Sequence, residues 1–233
     1  MTATVVLFDL DDTLYPYAPC RDAGLEAARE TALELGYDLD SNAFDAFYQT
    51  GRREVKRELS GTAATHERFI YFKRAVEEHT GEPRASDALA LGEAFWGGYL
   101  EEMELFTGVE ETLETLRENG IDVAITTNLT TRIQLAKIEQ LGLEDRIDVL
   151  VTSEETGREK PGSVMFTLPL ARLDRRVSEA VMVGDNVGAD IVGANAVGLE
   201  TVLWNAEPED PLEGRRKPDH RIDAFGELME LVL

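Results

Sequence analysis

Five short runs of β-branched and apolar residues, none alternating with polar ones, recur along this chain with amphipathic stretches between them. They cover residues 4–10 (TVVLFDL), 121–126 (IDVAIT), 147–152 (IDVLVT), 180–184 (AVMVG) and 200–204 (ETVLW). A run of that kind suits a strand buried on both faces, as in a parallel sheet with helices on either side. The stretches between them, 109–119, 130–141, 163–173 and 188–197, carry apolar residues at spacings of three and four, the period of a helix with one buried stripe. Gly120, Gly142 and Gly198 stand just past three of these, where a left-handed residue commonly closes a helix. Strand and helix therefore alternate, which predicts an α/β fold built on a doubly wound parallel sheet, with ligands bound beyond the carboxyl ends of its strands.

One region breaks the alternation. Residues 21–103 contain no strand pattern and read as four helices, 21–35, 41–59, 65–79 and 86–103, punctuated at Gly36, Gly61 and Gly81-Glu82-Pro83. The organisation expected is a core of residues 1–18 and 105–233 with a helical domain, 19–104, inserted after the first strand as a lid over the strand ends. A chain of 233 residues has room for both. The Pro- and charge-rich stretch 207–218 reads as a surface loop, and 224–232 as a terminal helix.

The 46 acidic residues face only 23 basic ones, giving a net charge of −23 and a pI near 4.4. Such a surface repels nucleic-acid phosphate and anionic lipid, so neither is an expected partner. Lysine occurs only as Lys56, Lys73, Lys137, Lys160 and Lys217. An acidic, lysine-poor surface suits a salt-rich cytoplasm, the alternative being a merely acidic protein of ordinary habitat. The lone Cys20 has no disulfide partner, and its expected place is a small buried side chain. No apolar run approaches the roughly 18 residues of a membrane span, and residues 1–10 lack a basic start. The expected location is the cytoplasm.

The chemistry-bearing residues collect where the strands end. In Asp9-Leu10-Asp11-Asp12-Thr13, residues two apart on extended chain point the same way, so Asp9 and Asp11 can share a site. Carboxylates that close imply a bound cation, a shared proton, or both. A calcium loop of the EF-hand kind needs glycine at its sixth position and glutamate at its twelfth; Leu14 and Cys20 stand there. Thr126-Thr127-Asn128 ends the second run, a hydroxyl and an amide that can hold a ligand oxygen, although such a trio by itself is more often a helix cap. Lys160-Pro161 follows the third, a pair that in isolation reads as surface loop. The fourth run leads into Gly184-Asp185-Asn186-Val187-Gly188-Ala189-Asp190 and brings two more carboxylates. Chance explains each fragment; it does not explain four of them, in order, at successive strand ends.

In these fragments the chain resembles the haloacid dehalogenase superfamily, whose four motifs match Asp9 to Thr13, Thr127, Lys160, and Asp185 with Asp190. The resemblance spans nearly the whole length, including a helical cap after the first motif, and implies a Rossmann-like core. It also implies Asp9 as nucleophile and Asp11 as general acid/base. Thr127 and Asn128 would hold phosphoryl oxygens, and Lys160 would neutralise charge and orient Asp9. Mg²⁺ would be ligated by Asp9, the backbone carbonyl of Asp11 and Asp185, with Asp190 supporting from outside that shell. The expected partner is a small phosphomonoester, hydrolysed through an aspartyl-phosphate.

Asp11 discriminates among the family's activities. Members that cleave carbon–halogen bonds have no alkoxide to protonate and typically lack this acid, so its presence favours phosphate chemistry over 2-haloacid dehalogenation. A phosphomutase on the same fold keeps both acids and remains an alternative, as does a non-catalytic acidic binding protein. Within the phosphatases, residues 126–143, 159–166 and the helical block look most like the N-acylneuraminate-9-phosphatase and pyrimidine 5′-nucleotidase branch, with Gly162 departing from the acid often found after Lys-Pro. Arg52, Arg53, Lys56, Arg57, Arg68 and Lys73 are candidate substrate contacts in the cap, although most such charges lie on solvated helix faces.

Overall fold

In the computed structural model, which describes residues 3–205 and 211–233, the apolar runs form β1 (Val5–Phe8), β2 (Asp122–Thr127), β3 (Val149–Thr152), β4 (Ala180–Gly184) and β5 (Glu200–Trp204). A sixth strand, β6 (His220–Ile222), completes one parallel sheet in the order β3-β2-β1-β4-β5-β6. The sequence reading did not anticipate β6. Three residues reading His-Arg-Ile at the sheet edge need only one partner strand, and carry no apolar run to betray them.

Both faces of β1 are buried. Val5 and Leu7 join a cluster with Ala124, Met165, Phe166, Leu170, Met182 and Ala194, while Val6 and Phe8, which alternate with them, are equally shielded. The shielding helices are α5 (Val109–Glu118), α6 (Thr131–Gln140), α8 (Val164–Arg172) and α9 (Val192–Val197), with the single turn α7 (Ser153–Thr156) and the terminal α10 (Gly226–Val232). Sheet direction of chain travel reverses between β1 and β4, so the crevice of a doubly wound sheet opens at the ends of these two adjacent strands.

The expected helix at 188–197 opens instead with a wider π turn, Val187–Ile191, before α9 begins. The extra residue in that turn is of the kind that re-aims side chains at functional sites. Of the expected loop at 207–218, residues 207–210 lie outside the described ones; the remainder holds a short 3₁₀ turn, Gly214–Arg216.

The chain divides into two compact units, Met1–Pro16 with Glu104–Leu233, and Tyr17–Met103. The second is all helical: α1 (Tyr17–Glu34), α2 (Ser41–Glu58), α3 (Arg68–Thr80) and α4 (Ala85–Glu101). Helix α1 starts four residues before the expected Arg21, because Pro19 falls in its first turn, where a missing N–H costs nothing. Helix α1 packs along α4 and α2 along α3. Gly24 permits the first contact, since a Cβ there would meet the carbonyl of Phe95 at 2.6 Å. The expected helix 65–79 is split into a 3₁₀ turn, Ala63–His66, and α3, with the Glu67 carboxylate accepting from Phe69 N between them. Cys20, the chain's one cysteine, is buried. No helix among the described residues is long and apolar enough to cross a membrane.

Candidate active site

Asp9 is the first residue beyond β1 and Asp185 the first beyond β4, so pairing of these neighbouring strands brings the two acids together. The Asp9 backbone N–H donates to Val183 O at 3.0 Å, extending the ladder to the site's edge. Asp190 reaches the same place from the π turn. Oxygens of Asp9, Asp185 and Asp190 all lie within 4.8 Å of one another, and the group could hold a metal ion.

Each acid is fixed by a local reason. Asn186 Oδ1 accepts from the backbone N–H groups of Gly188 and Ala189, both at 3.0 Å, and so starts the π turn. One turn on, Asp190 Oδ2 accepts from Asn186 N at 3.0 Å. Gly184 is required beneath it, because a Cβ there would stand 2.4 Å from Asp190 Oδ2. The Thr13 hydroxyl lies 3.3 Å from Asp185 Oδ1 and accepts from Asp185 N at 3.2 Å, tying the first and last motifs together.

Lys160 is the buried counter-charge. Its Nζ lies 2.5 Å from Asp9 Oδ1 and 2.7 Å from Asp190 Oδ1. Its backbone N–H donates to Asn128 Oδ1 at 2.8 Å, so the Asn128 amide oxygen anchors the lysine loop. Thr127, the last residue of β2, is fully buried. Its hydroxyl accepts from Gln134 Nε2 at 2.6 Å, and the same amide donates to Asn128 O at 2.8 Å.

Burial pushes the Asp9 carboxyl up to about 7; the Lys160 cation works against this, and Asp190 and Asp11 add to it. Burial, reinforced by Asp9, Asp190 and Asp12, pushes Asp185 up to about 8. Burial alone would discharge Lys160, but the Asp190 and Asp9 carboxylates hold it charged, above the usual lysine range. Three carboxylates and one ammonium leave the cluster short of positive charge. An all-oxygen donor set with elevated proton affinity fits a small hard cation.

Asp11 faces a different partner. Its Oδ1 accepts from Lys137 Nζ at 2.5 Å and from the Tyr15 hydroxyl, and Lys137 Nζ stands 5.7 Å from the centre of the Tyr15 ring. Lys137 and Gln134 are site residues that the sequence reading passed over. Both occupy α6 on the buried side with Ile133 and Ile138, and polar residues at positions of an apolar stripe were the signal that could have found them.

Asp9, Asp11, Thr127, Asn128, Lys160, Asp185 and Asp190 thus all lie within the first unit, at strand ends or in the turns after them. Asp9, Lys160, Asp185 and Asp190 converge in one cluster. Asp190 lies beside the carboxylates of Asp9 and Asp185, and its Oδ1 pairs with Lys160 Nζ at 2.7 Å.

The profile of the haloacid dehalogenase-like hydrolases matches residues 6–204. Ribulose-1,5-bisphosphate 5-phosphatase of Halopiger xanaduensis is 65% identical over 237 residues, covering 99% of both chains. Pyrimidine 5′-nucleotidase YjjG of Escherichia coli is 29% identical over 97% of this chain and 96% of its own. Among solved structures, a 2-haloacid dehalogenase from Pseudomonas syringae superposes with a TM-score of 0.81 at 26% identity, covering 100% of this chain and 98% of that one. The chain belongs to the haloacid dehalogenase-like hydrolase family and is, within it, a phosphoric monoester hydrolase. The nucleotidase branch expected from the sequence is represented among its relatives, but the sugar-bisphosphate phosphatase shares far more of its residues.

Proposed function

We propose that this chain is a Mg²⁺-dependent phosphatase that removes the 5-phosphate of ribulose-1,5-bisphosphate, or of a closely similar sugar bisphosphate, through an aspartyl-phosphate at Asp9. The observation that carries the chemistry is the buried Lys160 ammonium at 2.5 Å from Asp9 Oδ1, braced by Asp190. The substrate is supported by the 65% identity, over the full length of both chains, to a phosphatase named for it.

Asp9, Asp185 and the backbone carbonyl of Asp11 would hold Mg²⁺, which would supply the positive charge that a phosphate dianion needs beside these carboxylates. Lys160 adds its own charge and fixes the orientation of the Asp9 carboxylate. Thr127 Oγ1 and the Asn128 amide nitrogen donate to the phosphoryl oxygens. A free oxygen of Asp9 attacks phosphorus, the ester P–O bond breaks, and the departing sugar oxygen takes a proton from Asp11. The resulting Asp11 carboxylate removes a proton from water, whose oxygen attacks the same phosphorus. The bond from phosphorus to Asp9 then breaks, releasing inorganic phosphate and restoring both acids.

Asp11 also separates this reading from 2-haloacid dehalogenation, which has no leaving oxygen to protonate, despite the structural likeness to a protein of that name. The helical unit supplies substrate choice, and the acidic, lysine-poor surface suits a salt-rich cytoplasm. The test is hydrolysis of ribulose-1,5-bisphosphate, uridine monophosphate and p-nitrophenyl phosphate, with Mg²⁺ and with EDTA, in dilute and molar KCl. The expected result is Mg²⁺-dependent phosphate release with the bisphosphate preferred. Release unaffected by EDTA, or a preference for the nucleotide, would count against the metal and the substrate respectively.

A further inference from the structure

Gln134, on the buried side of α6, is fully shielded from solvent. Its Nε2 stands 2.6 Å from Thr127 Oγ1 and 2.8 Å from Asn128 O. Its Oε1 is buried with no hydrogen-bond partner among the described residues. The contact with Asn128 O fixes which way round this amide sits. A backbone carbonyl only accepts, so the end of the amide facing it is the NH₂ group, and both amide hydrogens are then in use. Turning the amide over would offer Oε1 the Thr127 hydroxyl, but would also set two carbonyl oxygens against each other.

That orientation decides what Thr127 can do. A threonine hydroxyl donates or accepts, and Gln134 makes this one an acceptor, so its own proton points elsewhere. Among the described residues the acceptor in reach of that proton is Asn128 O at 3.5 Å, an oxygen that already takes a hydrogen from Gln134. A contact so long is at the limit of hydrogen bonding. The proton is left for a further acceptor, and an oxygen of a phosphate dianion is an acceptor with no hydrogen of its own. Asn128 is oriented by the same logic: its Oδ1 accepts from Lys160 N at 2.8 Å, which turns its NH₂ group the other way. A side chain needed only to fill the space beneath Thr127 would do so better as an apolar residue, like Ile133 and Ile138 on the same face. Glutamine there leaves an acceptor buried that water satisfies in the unfolded chain.

We propose that Gln134 is a positioning residue for phosphoryl transfer, which fixes the Thr127 hydroxyl as a donor to the phosphoryl oxygens. This role rests on Thr127 holding the phosphoryl group, as in the function proposed above; Gln134 itself touches no substrate.

The test is a double-mutant cycle of wild type, Gln134→Met, Thr127→Val and the double variant, each checked by thermal melting and assayed with p-nitrophenyl phosphate and Mg²⁺. Methionine keeps the volume of glutamine without its donors, and valine keeps the shape of threonine without its hydroxyl. Thr127→Val is expected to lower kcat/KM about tenfold or more, and Gln134→Met about fivefold to tenfold, as for one hydrogen bond lost or misdirected. Added to Thr127→Val, Gln134→Met should change kcat/KM by less than about twofold, because the hydroxyl through which it acts is gone. An equal loss in both backgrounds, or a folded Gln134→Met with wild-type kcat/KM, overturns the role. Wild-type kcat/KM in Thr127→Val would remove Thr127 from the phosphoryl site, and absence of hydrolysis by wild type would refute the phosphatase reading. Either result also overturns the role of Gln134, and neither resembles an additive cycle. A second readout needs no variant: neutron diffraction from deuterium-exchanged wild-type crystals should place both amide deuterons toward Thr127 Oγ1 and Asn128 O, with the Thr127 deuteron directed away from Gln134. A Thr127 deuteron pointing at Gln134 overturns the role even if Gln134→Met does not fold.

Discussion

Lys137 Nζ lies 2.5 Å from Asp11 Oδ1, and the lysine is 1% exposed while the aspartate side chain keeps 30% of its surface. A buried ammonium on α6 thus holds the carboxylate to which the proposed mechanism assigns protonation of the leaving group. Lys137→Met is expected to lower kcat on alkyl phosphates by about tenfold to a hundredfold, toward the lower end of what a positioned acid contributes. The loss should be smaller on aryl phosphates, and Lys137→Arg should restore part of it. Steady-state kinetics on both substrate types checks this, and an equal loss on the two would argue that Lys137 acts elsewhere.

Gly184 and Asp190 are in closer contact than any side chain at 184 would allow. With a Cβ only 2.4 Å from Asp190 Oδ2, Gly184→Ala must displace the acid that braces Lys160. The expected cost is about 1–3 kcal/mol of stability, the usual range for overpacking, together with a fall in kcat exceeding what the loss of folded protein explains. Thermal melting and turnover per folded molecule separate the two effects.

Metal removal should make stability depend on pH in a defined direction. Asp9 and Asp185 rise from an ordinary value of 3.8 to about 7 and about 8 in the folded chain. The native state therefore binds protons that the unfolded state has released. Stability tied to these groups is fully present below about pH 4 and is lost progressively as pH rises to about 7 and 8. In EDTA, Tm should fall between about pH 5.5 and 8, Mg²⁺ should raise it more at the upper end, and Asp185→Asn should flatten the slope. A Mg²⁺ effect larger at acid pH would contradict the assignment.

Salt should stabilise the protein as a whole. A net charge of −23 generates self-repulsion that mobile ions screen within about 10 Å at 0.1 M and about 3 Å at 1 M. Tm is expected to climb from dilute buffer into molar KCl. A Tm independent of KCl would identify an ordinary acidic protein.

Much of this molecule was legible in the sequence because backbone rules act locally. Apolar runs announced five of the strands, and the acids at or just past their ends marked the candidate site. The signals that failed were those set by tertiary contact. β6 is a strand only because Val202 to Trp204 pair with it. The π turn exists because Asn186 caps it and Asp190 turns back onto Lys160. Lys137 looked like one more helix charge until α6 packed its buried face toward Asp11. Arg68, one of six cap residues offered as substrate contacts, most of them expected on solvated faces, is enclosed by aromatic rings contributed by three different helices.

The central claim is that phosphorus becomes bonded to Asp9. Asp11→Asn should expose this bond, because an aryl leaving group departs with little protonation whereas hydrolysis of the acyl-phosphate still needs a base. Mixed rapidly with p-nitrophenyl phosphate and Mg²⁺, that variant should release a burst of p-nitrophenol equal to the enzyme present, and mass spectrometry after acid quench should find a phosphoryl group on Asp9. Turnover with no burst and with the Asp9 peptide unmodified, or a phosphoryl group on another residue, would contradict the account.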